Sequence, residues 1–408
     1  MVCARARAGI AQPAHPAAVG VRRTPTQKTG PARRKRLTPL PRNLALAGLA
    51  WFLVLVAAVT GYWVLQPVLR DPLASDFTLV FIAVRIGTEH GWSHIYSLQL
   101  QHQHFSELRP GVFFNDGQRF IAPPPLAWVT LPLTGLGAAG AFYAWTAVSI
   151  GALVAAWWFG APGGGLEKAV WLIGAIAWYP VLYALQYGQP ALVVLLAVIA
   201  CWRLAEDERP YLAGLALALG TSLKPQLVLA VPLVLLLGGR WRIAAAWFVA
   251  AGALAALSLL TLGSTGLDDY RSLLAEAQTL PNNRYFTWAY VLGPGALSYL
   301  AQAAILLAAA AGAYLNRRAS TGRLLALGIL AGAVGATYWH LQDFTILVGA
   351  AWLFWRDNPP AWQRIWMAVT AVTIELAWPL TPLPLLIATA VWLGFLVYPA
   401  KRAVPAPA

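Results

Sequence analysis

Charged residues are scarce in this chain. Only 11% of its 408 residues are charged and 59% are hydrophobic, whereas soluble domains carry about 25% charged residues. Apolar runs of roughly twenty residues recur, and at about 1.5 Å of rise per residue such a run crosses a bilayer core of about 30 Å. This composition excludes a water-soluble fold and predicts an all-α, polytopic transmembrane protein with the lipid bilayer as its solvent.

Two further protein classes do not fit the sequence. Cys3 and Cys201 are the only cysteines, one in a polar tail and one in an apolar run, so no disulfide framework is indicated. A formal net charge of +14 could suggest a nucleic-acid partner. The basic residues, however, form short clusters between apolar runs, where membrane topology accounts for them. We expect no nucleic-acid binding.

Acidic residues are missing from the first 42 residues, which are rich in Pro, Ala, Thr and Arg. Segment 1–42 is therefore predicted to be a disordered basic tail in the cytoplasm. The membrane domain is expected at 43–400, followed by a cytoplasmic tail at 401–408. The first apolar run, 44–66, starts too far from the N-terminus for a signal peptide and has spanning length, which predicts an uncleaved first helix.

The basic clusters predict which loops face the cytoplasm. After the tail they occur at Arg203 and Arg209, Arg240 and Arg242, Arg317, Arg318 and Arg323, Arg356 and Arg364, and Lys401 and Arg402. Both termini are expected inside the cell, so the number of crossings must be even. Since about thirteen apolar segments occur, one does not span and about 12 crossings remain. Segment 120–136 is the candidate for re-entry, because its prolines interrupt backbone hydrogen bonding.

Two other segments have unusual patterns. The first extracytoplasmic loop, 67–119, contains apolar residues at helical spacing over 77–88, which predicts a short helix lying along the membrane interface. The arms 210–222 and 226–238 have only about 13 residues each, or roughly 20 Å of helix, and are too short to cross comfortably. Their joint carries Lys224, which is expected inside the membrane or in a cavity that opens outward.

Asp71 and Asp76 follow the outer end of the first helix. A carboxylate at this interface can act as a general base on a hydroxyl group, or it can simply solvate an outer loop. Asp76 directly precedes the predicted amphipathic helix and is the more constrained of the two. We therefore take Asp76 as the candidate catalytic base.

Ionisable residues inside a membrane are costly and are functional candidates by default. His340 and Asp343 lie at a predicted outer helix end, where they could hold a phosphate, transfer a proton or merely satisfy one another. Lys224 needs an anionic partner such as a phosphate, unless it extends to the outer surface. Gln189 and Arg284 are weaker substrate-binding candidates, because turn and loop roles explain them as well.

The sequence does not indicate a metal or a cofactor. Four histidines lie in the first outer loop, and His90 and His94 have an i, i+4 spacing that can bind a metal. No carboxylate pattern makes this spacing specific. Asp268 and Asp269 form an acidic pair like those that hold a metal in nucleotide-sugar enzymes, but they fall in a predicted outer loop, where nucleotide sugars are absent.

Five sequence segments, in order over 44–355, resemble a known family. They are SDFTLVFIAVRIGTEHGWSHIY, FIAPPPLAWVTLPL, YGQPALVVLL, YLAGLALALGTSLKPQLVLAVPLVLL and TYWHLQDFTIL. The chain resembles glycosyltransferase family 87, the bacterial polyprenyl-phosphate-mannose-dependent α-mannosyltransferases of the C-type (GT-C) superfamily. The family's Tyr before the prolines is replaced here by Phe120-Ile121-Ala122, and Pro190 and Ala191 follow the Gly-Gln pair.

The resemblance implies an inverting transferase in the bacterial inner membrane with an extracytoplasmic active site. Its partners would be a polyprenyl-phosphate sugar donor and a glycan or glycolipid acceptor. Asp76 would be the base on the acceptor hydroxyl, and Lys224 and His340 would hold the leaving phosphate. Mannose is the expected sugar.

Two other functions remain open at this point. A secondary transporter or lipid flippase would also combine many crossings with rare intramembrane charges, although such proteins usually show repeated halves, and this sequence shows no such repeat. A non-catalytic membrane scaffold would give no reason for Asp76, Lys224 and His340 to converge. A common cavity for these three residues favours the enzyme.

Overall fold

The described residues form a purely helical protein. The structure is a computed structural model that describes residues 42–114 and 119–399, so the predicted tails at 1–42 and 401–408 lie outside the described residues except for Arg42. Within these ranges there are α-helices and short 3₁₀ helices and no strands, which confirms the all-α prediction.

The first half of the chain contributes nine α-helices within the described ranges. They are α1 (Arg42–Arg70), α2 (Phe77–Glu89), α3 (Leu98–Leu108), α4 (Pro124–Thr130), α5 (Gly137–Gly160), α6 (Gly165–Ala177), α7 (Tyr179–Gln186), α8 (Ala191–Glu206) and α9 (Pro210–Leu223). The second half adds α10 (Ala230–Leu237), α11 (Trp241–Thr279), α12 (Pro281–Arg284), α13 (Trp288–Val291), α14 (Ala296–Leu315), α15 (Thr321–Gly335), α16 (Leu347–Arg356), α17 (Ala361–Ala377) and α18 (Leu383–Val397).

Several helices have the length and apolarity of membrane spans. Among the described residues, four stretches qualify, namely Arg42–Arg70, Pro124–Gly160, Trp241–Thr279 and Ala296–Leu315. The pair α6 and α7, bent by 57°, adds a fifth if it counts as one span. Large apolar side chains on these stretches face outward, such as Trp51 at 71% and Leu260 at 80% exposure. Such surface is stable against lipid chains rather than water, so these helices fit a membrane protein.

The core is built around α8 and α15. Nearly every residue of α15 is buried, as expected for a helix that is apolar on all sides. It packs against α10, α14, α16 and α18, while α8 packs against α5 and α9. The turn that carries Gln189 precedes α8, and the segment that carries His340 follows α15. The two central helices therefore fix the positions of both segments.

Helix α2 is present where the sequence predicts it, but its surroundings differ from the expected interface. Ten of its residues, from Phe77 to Gly87, are buried, and it packs against α3, α4 and α5. Only its C-terminal side chains, including Arg85 and Glu89, are not buried. The apolar pattern of α2 is therefore satisfied by protein contacts on most of its circumference.

The prolines of segment 120–136 begin helices instead of interrupting one. Pro124 and Pro125 occupy the first turn of α4, and Pro132 lies in the first turn of the 3₁₀ helix Leu131–Leu136. The missing N–H groups cost little there, because the first N–H groups of a helix have no partner within it. The α-helix nevertheless ends just before Pro132, where a 3₁₀ helix takes over, and re-entry of this segment stays a prediction.

The short arms around Lys224 are confirmed as α9 and α10, with the 3₁₀ helix Pro225–Leu227 between them. Lys224 ends α9 and is buried, at 8% exposure. In contrast, the predicted outer loop that contains Asp268 and Asp269 is helical, because α11 continues to Thr279 across a kink at Gly263.

Candidate active site

One cavity gathers most of the candidate residues. It has a volume of about 770 Å³, which lies within the range of roughly 300–1,000 Å³ typical of small-molecule sites. Asp76, Gln189, Lys224 and His340 all line it. The convergence that the sequence analysis required of Asp76, Lys224 and His340 is therefore present.

Asp76 and Asp71 have different surroundings. Asp76 is the N-cap residue of α2, and its Oδ2 accepts a hydrogen bond of 2.6 Å from the side-chain amide of Gln189. Asp71 instead forms an ion pair with Arg109 and accepts a hydrogen bond from the backbone N–H of Leu73. Asp71 thus organises the loop, whereas Asp76 faces the cavity.

The turn before α8 delivers Gln189 to this carboxylate. Gly188 has φ +62°, and a Cβ at this position would lie 2.7 Å from Cβ of Phe77, so only glycine fits without strain. The backbone N–H of Phe77 donates to the carbonyl of Tyr187, and the indole N–H of Trp145 donates to that of Gly188. These contacts lock the turn against the start of α2.

Lys224 lies between an amide and a carboxylate. Its Nζ donates a 2.6 Å hydrogen bond to Oε1 of Gln189 and lies 2.5 Å from Oδ1 of Asp343. Asp343 has no exposed surface, and such a buried carboxylate needs a charged or hydrogen-bonding partner. The result is a continuous polar chain, Asp76–Gln189–Lys224–Asp343, along the wall of the cavity.

His340 is held from three sides. Its backbone N–H donates to Oδ2 of Asp343, and its ring Nε2 lies 2.9 Å from Oδ1 of Asn283. Nδ2 of Asn283 donates to the carbonyl of Ala277, so Oδ1 is left to accept a proton from Nε2. Nδ1 of His340 then accepts from the amide of Gln342 at 3.5 Å. This arrangement describes a neutral imidazole.

The protein environment raises the pKa of Asp76 and lowers the pKa of His340. Burial raises the pKa of Asp76 from 3.8 to about 6, although the hydrogen bond from Gln189 and the charge of Lys224 oppose the rise. Burial lowers the pKa of His340; Asp343 opposes this and Lys224 adds to it. At neutral pH, Asp76 is thus a carboxylate of raised basicity, and His340 is an uncharged hydrogen-bond donor.

Arg284 is placed differently from the other candidates. Of the residues in 42–114 and 119–399, its neighbours Asn282 and Asn283 line the cavity, but Arg284 does not. Its guanidinium donates to the carbonyl of Thr279, at the end of α11. Asp343 is also absent from the cavity wall within the described chain, and it acts on the wall through Lys224.

Several lining residues were not singled out from the sequence. Tyr183 of α7 and Tyr187, the C-cap residue of α7, line the cavity, and Tyr338 packs against the ring of His340 with ring centroids 4.8 Å apart. Arg119 lines the cavity and pairs with Glu276 of α11. The sequence did contain a signal for this pair of tyrosines, because Tyr183 and Tyr187 are four residues apart, the spacing that puts side chains on one face of a helix.

Comparison with known proteins assigns the chain to a family. No curated protein and no solved structure matches the chain. The model of glycosyltransferase family 87 matches residues 120–374, which is more than half of the chain. The matched region includes Gln189, Lys224 and His340, while Asp76 precedes it. The chain therefore belongs to glycosyltransferase family 87.

Proposed function

We propose that this chain transfers a hexose, namely mannose, from a polyprenyl-phosphate donor to a lipid-linked or cell-envelope glycan acceptor, with inversion at the anomeric carbon. The main support is the polar chain from Asp76 through Gln189 and Lys224 to Asp343 along a substrate-sized cavity. Membership of a glycosyltransferase family favours this reaction over transport or lipid flipping.

In the proposed reaction, the acceptor hydroxyl oxygen attacks the anomeric carbon while Asp76 takes the hydroxyl proton. The bond between that carbon and the phosphate oxygen breaks, and its electron pair leaves with the polyprenyl phosphate, which then carries two negative charges. A single in-line displacement inverts the configuration. The pKa of Asp76, about 6, suits this role because a general base works best when its pKa lies near the working pH.

Lys224 and His340 stabilise the leaving phosphate in this proposal. Lys224 supplies the positive charge; among the described residues its Nζ pairs with one carboxylate, that of Asp343. His340 is neutral, and on substrate binding the hydrogen bond from its Nε2–H would move from Oδ1 of Asn283 to a phosphate oxygen. Charge and donors that are fixed before the reaction stabilise a developing anion most effectively. A direct substrate contact of Arg284 stays a prediction.

A second cavity provides a path for the lipid part of the donor. It has a volume of about 540 Å³ and lies between α1 and α7, lined by Val59, Trp63 and Val64 on the α1 side. Tyr183 and Tyr187 line both cavities. An isoprenoid chain could therefore lie against the outward-facing apolar side of α1 while its phosphate reaches Lys224.

The helix ends support an extracytoplasmic active site. Arg323 and Arg356 donate to the carbonyls of Phe395 and Gly160 near the ends of α18 and α5, and Arg240 donates to the carbonyl of Ala319 in the turn between α14 and α15. Helix α8 runs from the cavity to a basic end at Arg203, whereas α9 and α15 run from basic ends at Arg209 and Arg323 toward the cavity. By the positive-inside rule the basic ends face the cytoplasm. We propose about 12 crossings in a GT-C-like arrangement, with both termini inside a bacterial inner membrane.

Transfer from radiolabelled polyprenyl-phosphate mannose tests the proposal, with membranes that contain the full chain. Asp76→Asn should lower the rate by about 10²–10⁴-fold, the usual contribution of a general base. Asp71→Asn is the matched control, because it removes the neighbouring carboxylate that pairs with Arg109, and it should leave most of the transfer. Full transfer by Asp76→Asn would show that another group is the base.

A further inference from the structure

A second cluster of chemically reactive side chains lies at the far end of α2. Glu89 is the last residue of α2, His90 follows it as the C-cap, and His104 comes from α3. One ligand atom of each residue lies within 4.8 Å of the other two. At about 1.5 Å per residue, α2 separates this cluster from Asp76 by roughly 20 Å, so it is distinct from the cavity.

His104 is the unusual member of the cluster. Its side chain is 2% exposed, and both of its ring nitrogens lack a hydrogen-bond partner among the described residues. Nε2 lies 3.8 Å from Oε2 of Glu89, and Nδ1 lies 3.6 Å from Oε2 of Glu107. These separations are too long for hydrogen bonds. Burying an imidazole without hydrogen-bond partners costs free energy. A ligand bound between Nε2 of His104 and Glu89 would give Nε2 a partner and so reduce that cost.

We propose that Glu89, His90 and His104 form a zinc site. Imidazole nitrogen with carboxylate oxygen suits Zn²⁺ better than Ca²⁺ or Mg²⁺, which prefer oxygen ligands alone. Ligand atoms about 2.0–2.1 Å from a tetrahedral Zn²⁺ lie about 3.3 Å apart. Glu89 and His90 are exposed side chains that can close the remaining distance. Water completes the coordination.

The surrounding residues fit this assignment. Oε1 of Glu89 accepts a 2.9 Å hydrogen bond from Nε of Arg85, which leaves Oε2 facing His104. Glu107 is placed to accept the Nδ1 proton of His104, as carboxylates commonly do beside zinc-bound histidines. The rings of His90 and His104 are 5.5 Å apart, so both can turn a nitrogen to one ion. The zinc would join the end of α2 to α3.

Titration of the full-length protein in detergent with Zn²⁺ alone tests the site, after metal is removed with a chelator. The wild type should bind one Zn²⁺ per chain, and Glu89→Gln and His90→Ala should each weaken binding at least tenfold. Glu107→Gln should weaken it by about 10–100-fold, as expected for a residue that supports a ligand. His94→Ala and His102→Ala remove nearby histidines outside the cluster and should bind like the wild type.

A thermal melt separates loss of the site from loss of the fold. Zn²⁺ should raise the melting temperature of the wild type but not that of His90→Ala, and the two proteins should melt alike without metal. His104 is buried, so its substitution would also disturb the fold. The test therefore relies on the variants at the exposed residues Glu89 and His90. The proposal is wrong if the wild type binds no Zn²⁺ saturably, or if Glu89→Gln and His90→Ala bind it as tightly as the wild type. Neither result bears on sugar transfer.

Discussion

Oδ1 of Asp343 lies 2.5 Å from Nζ of Lys224, and both side chains are buried. Removal of one partner leaves the other charge buried without compensation, which typically costs about 3–5 kcal/mol. Asp343→Asn should therefore lower the free energy of unfolding by about 3–5 kcal/mol. It should also reduce sugar transfer. Asp207→Asn removes the exposed partner of Arg203 and should change stability by less than about 1 kcal/mol.

The double variant Lys224→Met/Asp343→Asn separates stability from catalysis. Because it removes both charges, its melting temperature should recover relative to Asp343→Asn alone. Transfer should remain lost, since the phosphate no longer meets a cation. If the double variant transfers sugar at the wild-type rate, the phosphate role of Lys224 is wrong.

The pH dependence of transfer reports the state of Asp76. A base must be deprotonated, so kcat/KM should rise with pH through about 6, the pKa to which burial raises Asp76, and should then level off. The hydrogen bond from Gln189 stabilises the carboxylate and lowers this pKa. Gln189→Leu should therefore move the rising limb to higher pH.

Two results would contradict this assignment. One is a flat wild-type profile between about pH 5 and 8, where an unshifted Asp would already be ionised. The other is a shift of the rising limb of the kcat/KM profile to lower pH in Gln189→Leu. Asp71→Asn is the control, because its carboxylate pairs with Arg109 away from Gln189, and it should keep the wild-type limb.

His340 should act as a donor of a hydrogen bond and not as a positive charge. His340→Gln keeps an N–H donor and should retain more transfer than His340→Ala, which should lose about 10²–10³-fold if it removes one transition-state donor. Kinetics at varied donor concentration provide the measurement. Equal activity of both variants and the wild type would remove His340 from the phosphate site.

The cavity beside α1 predicts a dependence on the length of the prenyl chain. Val59 lines this cavity and is 61% exposed, so Val59→Trp should narrow the cavity without disturbing the core. It should raise KM for a long-chain polyprenyl donor and leave a short-chain analogue unaffected. Val54→Trp, five residues earlier and also exposed on α1, should change neither KM. Equal effects on both donors would place the lipid elsewhere.

Some features of this site could be predicted from local sequence. The joint at Lys224 was predicted because two short apolar arms flank a charge, and burial of Lys224 follows from that geometry. Asp76 was preferred over Asp71 because it starts a helix, and the structure directs only Asp76 to the cavity. The segment around Arg284 was also singled out, but the neighbouring Asn283 contacts His340.

Other features depended on contacts between distant parts of the chain. Gln189 joins Asp76 to Lys224 across 113 and 35 residues of sequence, and a Gln in a turn carries no local sign of this role. The protein contacts that bury α2 could not be specified for the same reason, since its apolar pattern is equally consistent with lipid and with protein contacts.

By itself, the sequence determined that this is an all-helical protein suited to a membrane, because too few charges and too many long apolar runs leave no stable alternative in water. It also supplied the ordered motifs of the glycosyltransferase family. Only the tertiary structure decided which polar groups meet, because hydrogen bonds and buried ion pairs depend on distances of about 3 Å that local patterns do not specify.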